Sequence, residues 1–165
     1  MKVKNRHFLK SKDVKKFKML LKHRYPSVDS LFKKHSKVEK GILEDGTVLF
    51  FVNEELTFFE KEDQIIPFLK IIIKNLISLP IVVVDTGAVP YIIKGATVMI
   101  PGIVATDEFF TIGDYVVIVD EKHSKPLAIG VALLNSSDIS KEKKGKAVKN
   151  LHYIGDRYWD AFHLY

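Results

Sequence analysis

From Ile81 to Ser137 the chain is laid out as short β-branched runs, Ile81–Val84, Thr97–Ile100, Tyr115–Val119 and Leu127–Leu134, with glycine or proline at the corners between them. Pro101-Gly102 and Gly113-Asp114 are turn dipeptides between such runs. After the first run a short helix is expected. Asp85 or Thr86 is placed to cap its N-terminus, and Gly95 stands where a left-handed C-terminal cap is wanted. Strands this short leave edges that must be covered, and five or six of them fit a small closed β-barrel.

Pro80 is the natural boundary, because a helical period precedes it and a period-2 pattern follows. In the first part, Arg6–Leu9 reads as a strand. Ser11 is expected to cap a helix, with Asp13 in its first turn and Val14, Phe17, Leu20 and Leu21 as its buried stripe. Lys15, Lys18 and Lys22 recur at helical spacing on the outward side. The helix ends before Tyr25-Pro26, since a residue preceding proline is pushed out of the α region. Val38–Leu43, Thr47–Val52 and Leu56–Phe59 form a meander with turns at Asp45-Gly46 and Asn53-Glu54-Glu55. Asp63 is expected to cap a second helix bearing Ile65, Leu69, Ile72, Ile73 and Leu76, with Lys70 and Lys74 on its wet side. Residues 140–149 read as a basic linker, Leu151–Ile154 as a last strand, and Tyr153, Tyr158, Trp159, Phe162 and Tyr165 as an aromatic ending that packs back onto the first domain. A stacking surface for unpaired bases or a protein hot spot is the alternative for those aromatics. The fold class is therefore α+β, with a mixed α/β domain over residues 1–79, a barrel over 80–157 and an aromatic tail over 158–165.

The overall charge of +6 is unevenly distributed. Residues 1–40 carry +11, residues 41–79 and 80–140 carry −4 each, and residues 141–165 carry +3. Basic ends on a chain that is 47% hydrophobic describe a globular protein with a polyanionic partner, RNA being the commonest; surface solubility is the plainer explanation of the same lysines. The absence of cysteine excludes disulfides and thiolate chemistry. No secretory signal is visible, and the apolar stretch from Ile65 to Val84 is broken by Lys70, Lys74, Pro67 and Pro80, so no membrane span is expected. The six histidines show no ligand spacing, so no metal or other cofactor is expected. Glu54, Glu55, Glu60, Glu62 and Asp63 sit at turn and cap positions, and no phosphate-loop or nucleophile motif occurs, so no catalytic residue is assigned.

The words K-G-A-T-V-M-I-P-G-I-V and I-G-D-Y-V-V-I-V-D, in that order, resemble a PUA domain, the small RNA-binding barrel of pseudouridine synthases and archaeosine transglycosylases. The opening R-H-F-L-K-S-K-D-V-K-K and the ending G-K-A-V-K-N-L-H-Y-I-G-D-R-Y-W-D are similar to one PUA subfamily. It comprises translation-associated proteins related to the malignant T-cell amplified sequence protein, the PUA-containing half of ligatin (initiation factor 2D), and archaeal homologues. The resemblance implies a non-enzymatic, cytoplasmic role on the small ribosomal subunit in initiation, re-initiation or recycling, with a separate protein partner in some members. It implies RNA contact, including a tRNA acceptor end, through Lys94, Gly95, Ala96, Met99, Pro101, Gly102 and Ile103. Small residues at 95 and 96 would let backbone amides approach a phosphate. The acidic barrel is poor for that purpose, so the helix lysines Lys15, Lys18 and Lys22 and the C-terminal lysines are expected to complete the surface. A targeting subunit for an RNA-modifying enzyme and a protein-interaction module are the competing expectations.

Overall fold

Each of the first three hairpin turns passes through a left-handed backbone. Gly46 has φ 85°, Asn53 and Glu54 have φ 50° and 73°, and Glu62 and Asp63 have φ 52° and 59°. The second and third are tight two-residue turns, whose hand matches the twist of paired strands, and the first is a three-residue loop closed by Gly46. In the computed structural model, which describes residues 1–107 and 109–163, they generate an antiparallel meander. Its strands are β1 (Val3–Phe8), β2 (Val38–Leu43), β3 (Val48–Val52), β4 (Glu55–Lys61) and β5 (Gln64–Pro67), side by side in sequence order. Helix α1 (Ser11–Arg24) packs through Phe17, whose ring stacks on Phe50 at 4.3 Å and meets Phe58 edge-on at 6.1 Å. Tyr25, at the end of α1, donates its hydroxyl to the Ile65 carbonyl at 2.8 Å and so ties the helix to β5. A 3₁₀ turn over Pro26–Leu31 and a short helix α2 (Leu69–Ile73) complete this first unit, Met1–Ser78.

The second unit, Leu79–His163, is built from β6 (Ile81–Val84), α3 (Val89–Ile92), β7 (Val98–Met99), β8 (Ile103–Thr106), β9 (Tyr115–Asp120), β10 (Pro126–Ala132), α4 (Ser136–Ile139), β11 (Lys146–Tyr153) and α5 (Arg157–Phe162). Its sheet runs β7-β11-β10-β9-β6-β8, and only β6 and β9 are parallel. A 3₁₀ turn over Ile100–Gly102 joins the two outer strands, β7 and β8, so the sheet curls into a nearly closed barrel around Val82, Val84, Val116, Ile118, Ala128 and Val148. The α+β class with a barrel in the second half is thus the architecture observed. No helix of the described residues is long and apolar enough to cross a membrane.

Four local expectations are corrected. Lys10, not Ser11, is the N-cap of α1, since the chain leaving β1 is still extended there (φ −68°, ψ 152°) and its carbonyl accepts the Asp13 and Val14 amides. Leu20 is 58% exposed, because the stripe centred on Phe17 and Leu21 turns it past the edge of the buried face. The helix expected from Asp63 is instead a turn and β5: Glu60 pairs with Ile65 and Phe58 with Pro67. Pro67 explains the difference, because it drives Ile66 into the extended region, and a helix forms only beyond it. The supposed linker over 140–149 ends as strand, with Lys146 to Lys149 in β11.

Candidate nucleic-acid interface

The glycine loop after α3 is held from inside. The amides of Lys94, Gly95 and Ala96 donate to the carbonyls of Tyr91, Ile92 and Tyr91 at 3.0–3.1 Å. Gly95 has φ 90°, and a Cβ there would lie 2.9 Å from the Tyr153 ring. At Gly102 a Cβ would stand 3.2 Å from the Ala88 Cβ, and its carbonyl accepts the Asp85 amide at 2.9 Å. These glycines answer to backbone conformation and close packing. The expected cradle of free amides at 95 and 96 is therefore corrected, because both N–H groups are already bonded within the loop. The cap expected from Asp85 or Thr86 is corrected: Ala88 is the N-cap of α3 and no side chain caps it. Asp85 instead closes the turn leading into the helix, its Oδ1 accepting the Ala88 amide at 2.8 Å, while the Thr86 amide and hydroxyl face the Glu121 carboxylate.

The closing motif explains how the loop keeps its shape. The Asn150 side-chain amide donates to the Ile92 carbonyl at 2.9 Å and the Ala96 carbonyl at 3.3 Å, which fastens both sides of the loop to β11. Tyr153 fills the space beside Gly95. Asp156 then locks the strand end: Oδ1 accepts the Tyr158 and Trp159 amides at the start of α5, and Oδ2 meets the Tyr153 amide and His152 Nδ1, the latter at 2.6 Å. Burial opposes charge on Asp156, but the His152 ring and the backbone amides prevail and hold its carboxyl below the usual range. His152 is fully buried and packs edge-on to Tyr158, so the His–Asp pair joins the end of β11 to the start of α5.

The outward side of the loop presents a mixture of apolar and cationic side chains. Lys94, Met99 and Pro101 are exposed, whereas Gly95, Ala96, Gly102 and Ile103 are half-buried. Met99 pairs across the ladder with Lys146, so directly opposed side chains, one apolar and one cationic, share a face. Pro101, Ile103 and Val104 line an open groove of about 340 Å³ together with Lys143 and Glu142. Lys143 and Lys146 come from the stretch read as a linker, and they put cations beside a loop whose own segment is acidic. Sequence reasoning also passed over Tyr91, 68% exposed on α3, and Val104, 54% exposed. A large aromatic on the off-core side of a short helix was the available signal.

Lys15, Lys18 and Lys22 are not equivalent. Lys22 and Lys18 reach Asp29 at 2.7 and 3.5 Å, and the hydrogen bond from Lys22 leads the interactions that hold the Asp29 carboxyl below its ordinary value. Lys15 instead borders a groove with Lys34 and Lys37. Asp107 is exposed beyond β8, and Lys122 and Lys125 lie on the β9–β10 turn, whose backbone Asp120 gathers through the Lys125 and His123 amides. Glu108, Leu164 and Tyr165 lie outside the described residues.

A family model described as PUA domain matches residues 80–154, and one described as Domain of unknown function (DUF1947) matches residues 5–75. The chain is 44% identical to an uncharacterized protein of Methanocaldococcus jannaschii, over 97% of this chain and 98% of that one. It is 32% identical to translation machinery-associated protein 20 of Saccharomyces cerevisiae, over 96% and 93%, and 28% identical to malignant T-cell-amplified sequence 1 of Rattus norvegicus, over 92% and 87%. Among solved structures, a hypothetical protein of Pyrococcus horikoshii OT3 superposes with a TM-score of 0.81 at 34% identity, over 94% of this chain and 98% of that one.

Proposed function

The chain belongs to the family of PUA-domain proteins that includes translation machinery-associated protein 20 and the malignant T-cell-amplified sequence proteins, and on that premise we propose that it is a non-enzymatic, cytoplasmic RNA-binding factor of translation. Its partners are the small ribosomal subunit and an unpaired RNA element such as a tRNA acceptor end, and its step is initiation, re-initiation or recycling. The observation that carries this reading is the strand pairing of Lys146 with Met99 next to the groove of Pro101 and Ile103, with the exposed Lys94 on the preceding loop. Such a surface suits single-stranded RNA, because cations track the phosphates while apolar side chains meet exposed base faces. The glycines take part by letting the chain turn at this place, with Tyr153 and Asn150 behind them.

The test is binding to purified small subunits, and to tRNA with and without its CCA end, across a salt series. Replacement of Lys94 and Lys146 by Glu is expected to weaken binding more than about tenfold and to flatten its salt dependence, since each lost phosphate contact removes one released counterion. Unchanged affinity and slope in that variant would refute the assignment of this face.

A further inference from the structure

We propose that the groove between β1, the start of α1 and the segment before β2 is a second RNA site, one that takes a short unpaired segment with one base stacked on Phe8. The inference rests on the RNA-binding reading above but concerns a different surface, wholly within the first unit. The groove has a volume of about 440 Å³, within the range of sites that hold a small ligand. Phe8, Leu9 and Val14 supply its apolar part, and Lys15, Lys34 and Lys37 supply its charge. No carboxylate borders it, and among the described residues none pairs with these three lysines, in contrast to Lys18 and Lys22 on the same helix.

Phe8 is the unusual member. It is 58% exposed at the end of an edge strand, where a large apolar ring is a liability unless something covers it. The Lys37 ammonium stands 5.7 Å from the ring centroid, so the ring already holds a cation. A phosphate drawn to Lys37 would bring its base towards the same aromatic ring. An exposed aromatic ringed by unpaired lysines matches the alternation of flat base and anionic phosphate in a single strand. An acidic protein segment would match the charge and leave the ring without a partner.

The experiment uses the full chain and a fluorescein-labelled oligouridylate of about eight nucleotides, a length typical of one single-strand site, titrated between about 50 and 200 mM salt. Phe8→Ala is expected to weaken binding at least about fivefold with the salt slope unchanged, because stacking does not release counterions, and Phe8→Tyr is expected to restore it. The Lys34→Ala, Lys37→Ala double variant is expected to reduce the slope of log affinity against log salt by about 1.4, the value for two single-strand phosphates. All these side chains are exposed, so the variants retain the fold, which near-ultraviolet circular dichroism verifies. Three results overturn the proposal. If both groove variants bind as wild type while the Lys94, Lys146 variant does not, the groove is no RNA site and the loop assignment stands. If polyglutamate of equal charge displaces the oligonucleotide equally well, the groove is a docking place for acidic protein. If the wild-type chain binds no oligouridylate, the groove is no site for unpaired RNA, and the reading above is decided separately by the small-subunit and tRNA titrations.

Discussion

In the first unit the strands stand in space in the order in which they occur along the chain, and each pair is joined by its own turn or by α1. In the second, β11 lies between β7 and β10, and β6 runs parallel to β9 across more than thirty residues of chain. The first unit therefore has two true edges and leaves β1 almost wholly exposed, whereas the second brings its outer strands together through the 3₁₀ turn at Ile100–Gly102. Local chemistry suffices for a meander, since turn residues and strand alternation set each register separately. A barrel whose last strand supports a loop some fifty residues upstream depends on contacts that no short window contains.

The contrast is broken most severely at two strand glycines. A Cβ at Gly130 would lie 2.4 Å from Val148 Cγ1 and 2.6 Å from the Lys149 carbonyl oxygen, a backbone atom in the barrel wall. A Cβ at Gly41 would meet Val3 Cγ1 at 2.5 Å, but Val3 opens an exposed edge strand that is able to shift. Gly130→Ala is expected to cost about 3 kcal/mol and Gly41→Ala about 1 kcal/mol, with hydrogen exchange rising in the unit that carries the change. Equal losses would show that the edge strand is as rigid as the barrel.

Next in size is Asp156→Ala, which removes a helix cap and the partner of His152 and is expected to destabilise the second unit by about 2–3 kcal/mol near neutral pH. The Asp156 carboxyl is held below its ordinary value in the folded chain, so its contribution is present in full above the unfolded value, about pH 4, and is lost as pH falls through the folded one. The gap between wild type and variant in urea midpoint should accordingly narrow below about pH 4. A gap that stays constant down to pH 2 would mean that the charge on Asp156 is irrelevant.

The smallest effect is expected at Asp29→Asn in the first unit. Freeing Lys18 and Lys22 should tighten RNA binding about twofold at low salt and negligibly at high salt, as exposed charges are screened. Anisotropy titration of the same labelled oligouridylate reads this directly. A loss of affinity would show that Asp29 orients the helix lysines rather than neutralising them.

Much of this was legible in the residues. Val38–Leu43 and Ile81–Val84 are strands with the limits their β-branched runs mark, Gly95 has the left-handed backbone its place after a short helix demands, and the PUA likeness agrees with the family model. Asp63 misled because the same residue type serves helix caps and left-handed turns, and only Pro67 four residues on distinguishes them. Leu20 misled because three-and-four spacing admits either edge of a helical stripe.

Sequence by itself determined the change of pattern at Pro80, the basic ends and the turns at Gly46 and Asn53-Glu54, since each follows from composition or from a few neighbouring residues. Tertiary structure alone decided which lysines remain available. Lys18 and Lys22 are met by Asp29, which the 3₁₀ turn returns to them; Lys146 is brought opposite Met99 by a strand that looked like a linker; Lys15, Lys34 and Lys37 are gathered round Phe8. The physical reason is that charges interact through space over a few ångströms, and the folded chain sets those distances without regard to separation along the sequence.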